Sequence, residues 1–212
     1  MFSDTGMSVL YTIGHSNHTA QQLIDLLSMH TISAVADVRS SPYSRYNPQF
    51  NREAFQQSLR SVDIEYVFLG KELGARSIDS SCYVNGYVQF NLLTKNKIFT
   101  AGIERLIQGM QSFRIALLCA EKDPITCHRM ILICRSLRST GMSIQHILND
   151  GSLENNTNAE LRLMTELNIQ TNDLFCPGVN PHNNVKSVSY RIIPGSWIQS
   201  EVGCRQCSHR RC

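Results

Sequence analysis

The stretch LLCAEKDPITCHRM (117–130) gathers two thiols, a carboxylate, an imidazole and a guanidinium around one turn. Asp123 and Pro124 make a helix start, with Asp123 as N-cap and Pro124 at the first helical position. Cys127, His128 and Arg129 then fall in the first two turns. A thiol placed there beside cations carries more thiolate than a free cysteine. The backbone donors of such a turn, with Arg129, suit a phosphate, sulfate or carboxylate. A plainer alternative makes both cysteines small buried hydrophobes and leaves His128 and Arg129 to hold the loop. Cys134 reads as core.

Three other stretches carry chemistry. IGHSNHT (13–19) offers His15 as an acid/base or anion ligand and Ser16 as a cap or binding hydroxyl, with His18 turned to solvent. In ADVRSSPYSRYNP (36–48), Asp37 and Arg39 lie on one side of an extended segment. Asp37 there positions a histidine or acts as a base, and Arg39 clamps an anion; the alternative is an internal salt bridge that orders the following loop. The end of the chain, CRQCSHRRC, sets Cys204, Cys207, His209 and Cys212 close together. These are zinc-type ligands, at a spacing too compressed for a recognised finger.

The elements that position these groups follow from hydrophobic period. VLYTIG (9–14), ISAVADV (32–38), IEYVFLG (64–70), RIALLCAE (114–121) and SIQHIL (143–148) read as buried strands. Between them, 19–30, 51–61, 94–110 and 125–140 carry helical spacing. The helix at 94–110 is expected to bury Ile98, Ile103, Leu106 and Ile107. This alternation predicts an α/β domain with a mainly parallel sheet of about five strands and helices on both faces. Its chemistry then collects beyond the carboxyl ends of the strands. His15, Ser16, Asp37, Arg39 and Glu121 all fall there, whereas His146 lies inside a strand. The domain is expected over 8–150, followed by an extension over 151–212. That extension holds a helix at 156–169, with Leu161, Met164 and Leu167 facing inward, and the Cys/His-rich end.

Composition narrows the class. An apolar fraction of 42% with 17% charged residues fits a packed core. A net charge of +3 falls short of the dense basic footprint that argues for nucleic acid by itself. No apolar run is long enough to span a bilayer, and no secretory leader is read at the start, where Met7 is an alternative first residue. A cytoplasmic chain with reduced thiols is expected.

Taken together, TIGHS, ADVRSSPYSR, FLGKELGAR, LLCAEKDPITCHR and IQHIL, in this order, resemble the family known as domain of unknown function 488, from about residue 10 to residue 150. The resemblance implies an α/β domain and one polar pocket built from His15, Ser16, Asp37, Arg39, Glu121, Cys127, His128 and Arg129. Ala75 departs from it, standing where the family usually has a second glycine. A looser similarity, to rhodanese-type sulfurtransferases and cysteine phosphatases, would make Cys119 a nucleophile. Here the loop from Cys119 to Arg129 is longer and lacks their glycines, and Glu121 would repel an anion.

The leading expectation is an intracellular enzyme acting on a small anionic or nucleotide-like substrate. Arg39 and Arg129 hold the anion, Asp37 or Glu121 serves as acid/base, His15 or His128 is the proton partner, and Cys119 or Cys127 supplies any thiol chemistry. The competing classes are a nucleic-acid-associated protein auxiliary to DNA repair or modification and a structural thiol-rich adaptor. The only cofactor suggested is zinc at the C-terminal cluster.

Overall fold

The structure, a computed structural model, describes residues 9–167 and two further strands, Tyr190–Ile193 and Ser196–Ser200. Strand β1 (Val9–Gly14) leads to helix α1 (Ala20–Met29), β2 (Ala34–Asp37), α2 (Arg52–Arg60) and β3 (Glu65–Phe68). A short α3 (Gly70–Leu73), a hairpin of β4 (Tyr83–Val84) and β5 (Tyr87–Val88), and α4 (Phe90–Leu93) precede the longer α5 (Lys97–Gly109). Next come β6 (Ile115–Cys119), a π-helix over Arg129–Cys134, β7 (Ser143–Ile147), β8 (Leu153–Asn155) and α6 (Asn156–Glu166).

The main sheet runs β3-β2-β6-β1-β7-β8. Its first five strands are parallel, and β8 closes the edge antiparallel to β7. This is the mainly parallel α/β sheet expected from the strand–helix alternation, with one extra strand. Successive residues of a strand face opposite sides, so the sheet builds two cores. On one side Tyr11, Ile13, Val35, Ala116 and Leu118 meet Leu23, Ile24 and Leu27 of α1 and Phe55 and Leu59 of α2. On the other Leu10, Ala34, Ala36, Leu117 and Cys119 meet Phe99 and Leu106 of α5 and Leu132, Ile133 and Cys134. Each fully buried aliphatic or Phe side chain contributes about 1.5–3 kcal/mol. Helix α1 starts at a capping box, in which Thr19 accepts from the Gln22 amide and Gln22 reaches back to the Thr19 amide.

Three expectations are corrected. The helix over 125–140 is instead a 3-10 turn (Pro124–Thr126), the π-helix and a second 3-10 turn (Arg138–Thr140). Asp123 caps the first turn, accepting from the Ile125 amide. All six residues of the π-helix are buried, because Leu132, Ile133 and Cys134 face the sheet while Met130 and Ile131 pack against Ile125 and Ala159. In α5 Leu106 is buried as expected and Ile103 and Ile107 pack half-buried against the core, but Phe99 and Gly102 take the place of Ile98, which is exposed. In α6 the inward residues are Ala159 and Leu163, and Leu161 is exposed. Arg162 ties α6 to the loop after β6 by pairing with Asp123 and Glu154, each at 2.8 Å.

Candidate functional site

The polar residues do gather at the carboxyl edge of the sheet, yet the alternation of strands divides them between its two faces. Asp37 stands beside Leu118 in the ladder, on the face of α1 and α2, whereas Cys119 faces α5 and the π-helix.

On the first face, Asp37 and Arg39 are committed to each other. The Asp37 carboxylate is fully buried and accepts from Arg39 Nε at 2.9 Å, Arg39 Nη2 at 2.6 Å, the Arg39 amide at 3.1 Å and the Tyr66 hydroxyl at 2.7 Å. Arg39 Nη2 also donates to the Phe50 carbonyl at 2.9 Å, which fastens the loop between β2 and α2. With its lone pairs so occupied, Asp37 has the surroundings of a structural anion rather than of a base. Burial, with the Asp37 charge, pushes the Tyr66 hydroxyl far above the ordinary phenol value. His15 completes this face by stacking on Phe50 at 4.4 Å, and its Nδ1–H donates to the Ser16 carbonyl at 3.0 Å. Ser16 holds the left-handed conformation, with φ 45°.

On the second face, four groups converge where β6 ends. The ligand-type atoms of Cys119, Glu121, Cys127 and His128 all lie within 4.8 Å of one another. Both thiols donate to one carboxylate oxygen, Cys119 to Glu121 Oε2 at 2.8 Å and Cys127 to the same atom at 3.1 Å. His128 Nδ1 lies 3.5 Å from Cys119 Sγ and 4.0 Å from Cys127 Sγ. Its Nε2 is 3.0 Å from the Val38 carbonyl, which can only accept. The His128 proton therefore belongs on Nε2, and in the neutral ring the Nδ1 lone pair faces the thiols. Cys119, Cys127 and His128 are buried, and Glu121 is half-buried.

Burial, followed by the Cys127 thiol, pushes the Cys119 thiol well up. At Cys127 burial acts in the same direction, but the Cys119 hydrogen bond, the Arg129 charge and His128 together hold the thiol well below its ordinary value. Burial and the Cys127 charge raise Glu121.

Arg129 frames this cluster. It is fully buried and donates through Nη1 to the Glu121 carbonyl at 2.6 Å, through Nη2 to the Lys122 carbonyl at 3.1 Å and through Nε to Thr12 Oγ1 at 3.3 Å. From Thr12 a chain of hydrogen bonds runs to His146 Nδ1 at 2.8 Å, from His146 Nε2 to Asn156 Oδ1 at 3.1 Å, and from Asn156 to Glu160 at 3.0 Å. Gly14 sits beneath, where a Cβ would overlap the Glu121 carbonyl.

Two histidines give this edge a pH response. Burial and the Arg129 charge hold His146 at about 4, against weaker opposition from Asn156 and Glu154. Burial and the Arg39 charge hold His15 at about 4 as well. The unfolded chain takes up these protons from the ordinary value of 6.5 downward, and the folded chain only near 4. Stability is therefore expected to fall as pH drops through that window, by about 3 kcal/mol per histidine. Urea midpoints against pH should show the fall, with a shallower slope in His146→Gln; equal slopes would contradict it.

The family model described as Domain of unknown function DUF488 matches residues 19–135, more than half of the chain. The chain belongs to the DUF488 family. A search of curated proteins finds no match. The DUF488 match takes in Asp37, Arg39 and the whole cluster from Cys119 to Arg129, and starts after His15 and Ser16.

Within this DUF488 chain, the single pocket implied by the resemblance becomes two groups. His15, Asp37 and Arg39 meet on one face, and Glu121, Cys127, His128 and Arg129 meet on the other, joined by Cys119. Both arginines, expected to clamp an anion, also serve the protein itself: Arg39 donates to the Asp37 carboxylate and the Phe50 carbonyl, and Arg129 to the Glu121 and Lys122 carbonyls and the Thr12 hydroxyl. Cys204, Cys207, His209 and Cys212 lie outside the described residues. Thr12, Tyr66 and Phe50 contribute without having been singled out. Thr12 carried a readable signal, as a hydroxyl inside the apolar run VLYTIG needs a buried partner. Among the described residues, Cys82, Cys119, Cys127 and Cys134 are free thiols, and no helix is long and apolar enough to cross a membrane.

Proposed function

We propose that this DUF488 chain is an enzyme whose reactive centre is the group Cys119, Glu121, Cys127 and His128, acting on a small polar molecule that arrives over the carboxyl edge of the sheet. The convergence of these four side chains within 4.8 Å carries the reading. Two thiols, an imidazole and a carboxylate sharing hydrogen bonds in a buried nook make a weak packing solution, since polar groups there lose hydration. Glu121, half-buried and with its pKa raised, is suited to exchange a proton with a ligand that reaches its exposed part. Cys127 is the thiol of low pKa, with His128 as its partner. Burial and the neighbouring Cys127 hold the Cys119 thiol up, which weighs against the sulfurtransferase-like alternative. A neutral or cationic substrate suits Glu121 better than an anion.

The nucleic-acid reading leans on the basic chain end, outside the described residues, and on two guanidinium groups that the protein itself engages. The enzyme reading is tested by incubating the full chain with a deproteinised small-molecule extract and following each component by mass spectrometry. One component is expected to be consumed, at least ~100-fold more slowly by Cys127→Ser and by Glu121→Gln. No consumption by the unaltered chain, or equal rates in both variants, would contradict it.

A further inference from the structure

We infer that Cys119, Glu121, Cys127 and His128 are the ligands of a divalent transition-metal ion of the zinc type, bound through two sulfurs, one nitrogen and one oxygen. The inference deepens the proposed function, because it takes the same cluster as the centre and names its cofactor.

The donor set comes first. Thiolate and imidazole select borderline-soft ions such as zinc, and a carboxylate oxygen completes four-coordination. Geometry comes second. A tetrahedral ion with bonds of ~2.3 Å to sulfur and ~2.0 Å to nitrogen sets sulfur and nitrogen about 3.5 Å apart. The two sulfurs stand 3.5 and 4.0 Å from His128 Nδ1. The sulfur-to-carboxylate spans of 2.8 and 3.1 Å are thiol hydrogen bonds. They need open by only about half an ångström when an ion replaces the two protons.

The surroundings agree with both. Metal-binding histidines usually donate their far N–H to a carbonyl or carboxylate. His128 does so, through Nε2 to the Val38 carbonyl at 3.0 Å, which leaves Nδ1 facing the sulfurs. Binding leaves both sulfurs as thiolates and releases the protons that they carried, with no change of oxidation state. The ion with two thiolates and one carboxylate then carries one net negative charge, set against the buried Arg129 guanidinium beside Glu121. Glu121, alone of the four in reaching solvent, is the ligand placed to yield to a substrate.

In the ion-bound protein Cys127 is a ligand rather than an attacking atom, so the two readings part under experiment. The full chain, stripped with a chelator and reloaded with cobalt(II), is followed by elemental analysis and by thiolate-to-cobalt absorption in the near ultraviolet. Because Cys204, Cys207 and Cys212 could take cobalt too, a variant with all three changed to Ser is compared with a Cys119→Ser, Cys127→Ser double variant. The tail variant is expected to keep one ion per chain and its absorption band, and to release protons on binding. The double variant is expected to lose both ion and band. Glu121→Gln, which preserves shape if the double variant fails to fold, should weaken cobalt binding at least ~10-fold. Uptake confined to the tail cysteines, or wild-type affinity in Glu121→Gln, overturns the inference. Cobalt bound at the cluster with no component consumed by the unaltered chain would sink the enzyme reading and leave the metal site standing. Turnover lost without any uptake would do the reverse.

Discussion

Replacing Asp37 with alanine is expected to lower the unfolding free energy by about 3–5 kcal/mol, because it leaves a buried guanidinium without its counter-charge. Arg39 has few other partners to turn to. Its Nε and Nη2 both point at the Asp37 carboxylate, and the Tyr66 hydroxyl would lose its acceptor in the same stroke. Chemical denaturation of Asp37→Ala, Arg39→Leu and the double variant forms a cycle whose single losses should sum to well over the double loss. The result separates two roles. A structural Asp37 costs stability when removed, whereas a catalytic base in the same place would cost turnover and leave stability nearly unchanged. Near-additive losses would mean that the pair does not hold the loop as described.

Arg129→Met is expected to be nearly as damaging, again on the order of 3–5 kcal/mol, for a different reason. Methionine fills much of the volume but donates nothing, so the Glu121 and Lys122 carbonyls and the Thr12 hydroxyl each lose a partner in a buried place. The loop that carries Glu121 then loses its fastening to the π-helix. Two readouts should move together: the denaturation midpoint, and the affinity of the cluster for cobalt. A variant as stable as the original would show that the guanidinium is not what holds the loop.

Much of the fold was legible in the sequence because strands and helices here carry clean periods. β1 occupies the expected 9–14, and α1 and α2 fall within a residue or so of their expected ends. What escaped had little local signal. β8 has a single apolar residue, Leu153, and forms by pairing with β7 rather than by burying a face. In α5, Phe99 displaces Ile98 from the core because one position along a helix turns a side chain by about 100°. The π-helix was hidden since MILIC reads equally as an α-helix that is apolar all round.

The candidate residues were legible as types and not as a grouping. Each strand-end segment announced polar side chains, but which face each would occupy depended on register between strands far apart in the chain. Asp37 and Val38 are neighbours in sequence, yet Asp37 binds Arg39 on one side while the Val38 carbonyl receives His128 on the other. Only the ladder that sets Asp37 beside Leu118 and Gly14 beside Cys119 decides that the carboxylate of β2 and the thiol of β6 serve different clusters. The internal-salt-bridge alternative for Asp37 and Arg39 was already open in the sequence, and their geometry matches it. The proximity of Cys119 to Cys127 required the turn at Pro124–Thr126, which brings the chain back onto the strand end.

The central claim is that Cys119, Glu121, Cys127 and His128 act as one centre. Its most direct measurement is an anomalous difference map recorded at the zinc absorption edge from crystals of the zinc-loaded full chain. The account predicts a peak about 2.0–2.3 Å from Cys119 Sγ, Cys127 Sγ and His128 Nδ1. A map without density there, or with its only peak among residues 204–212, would contradict it.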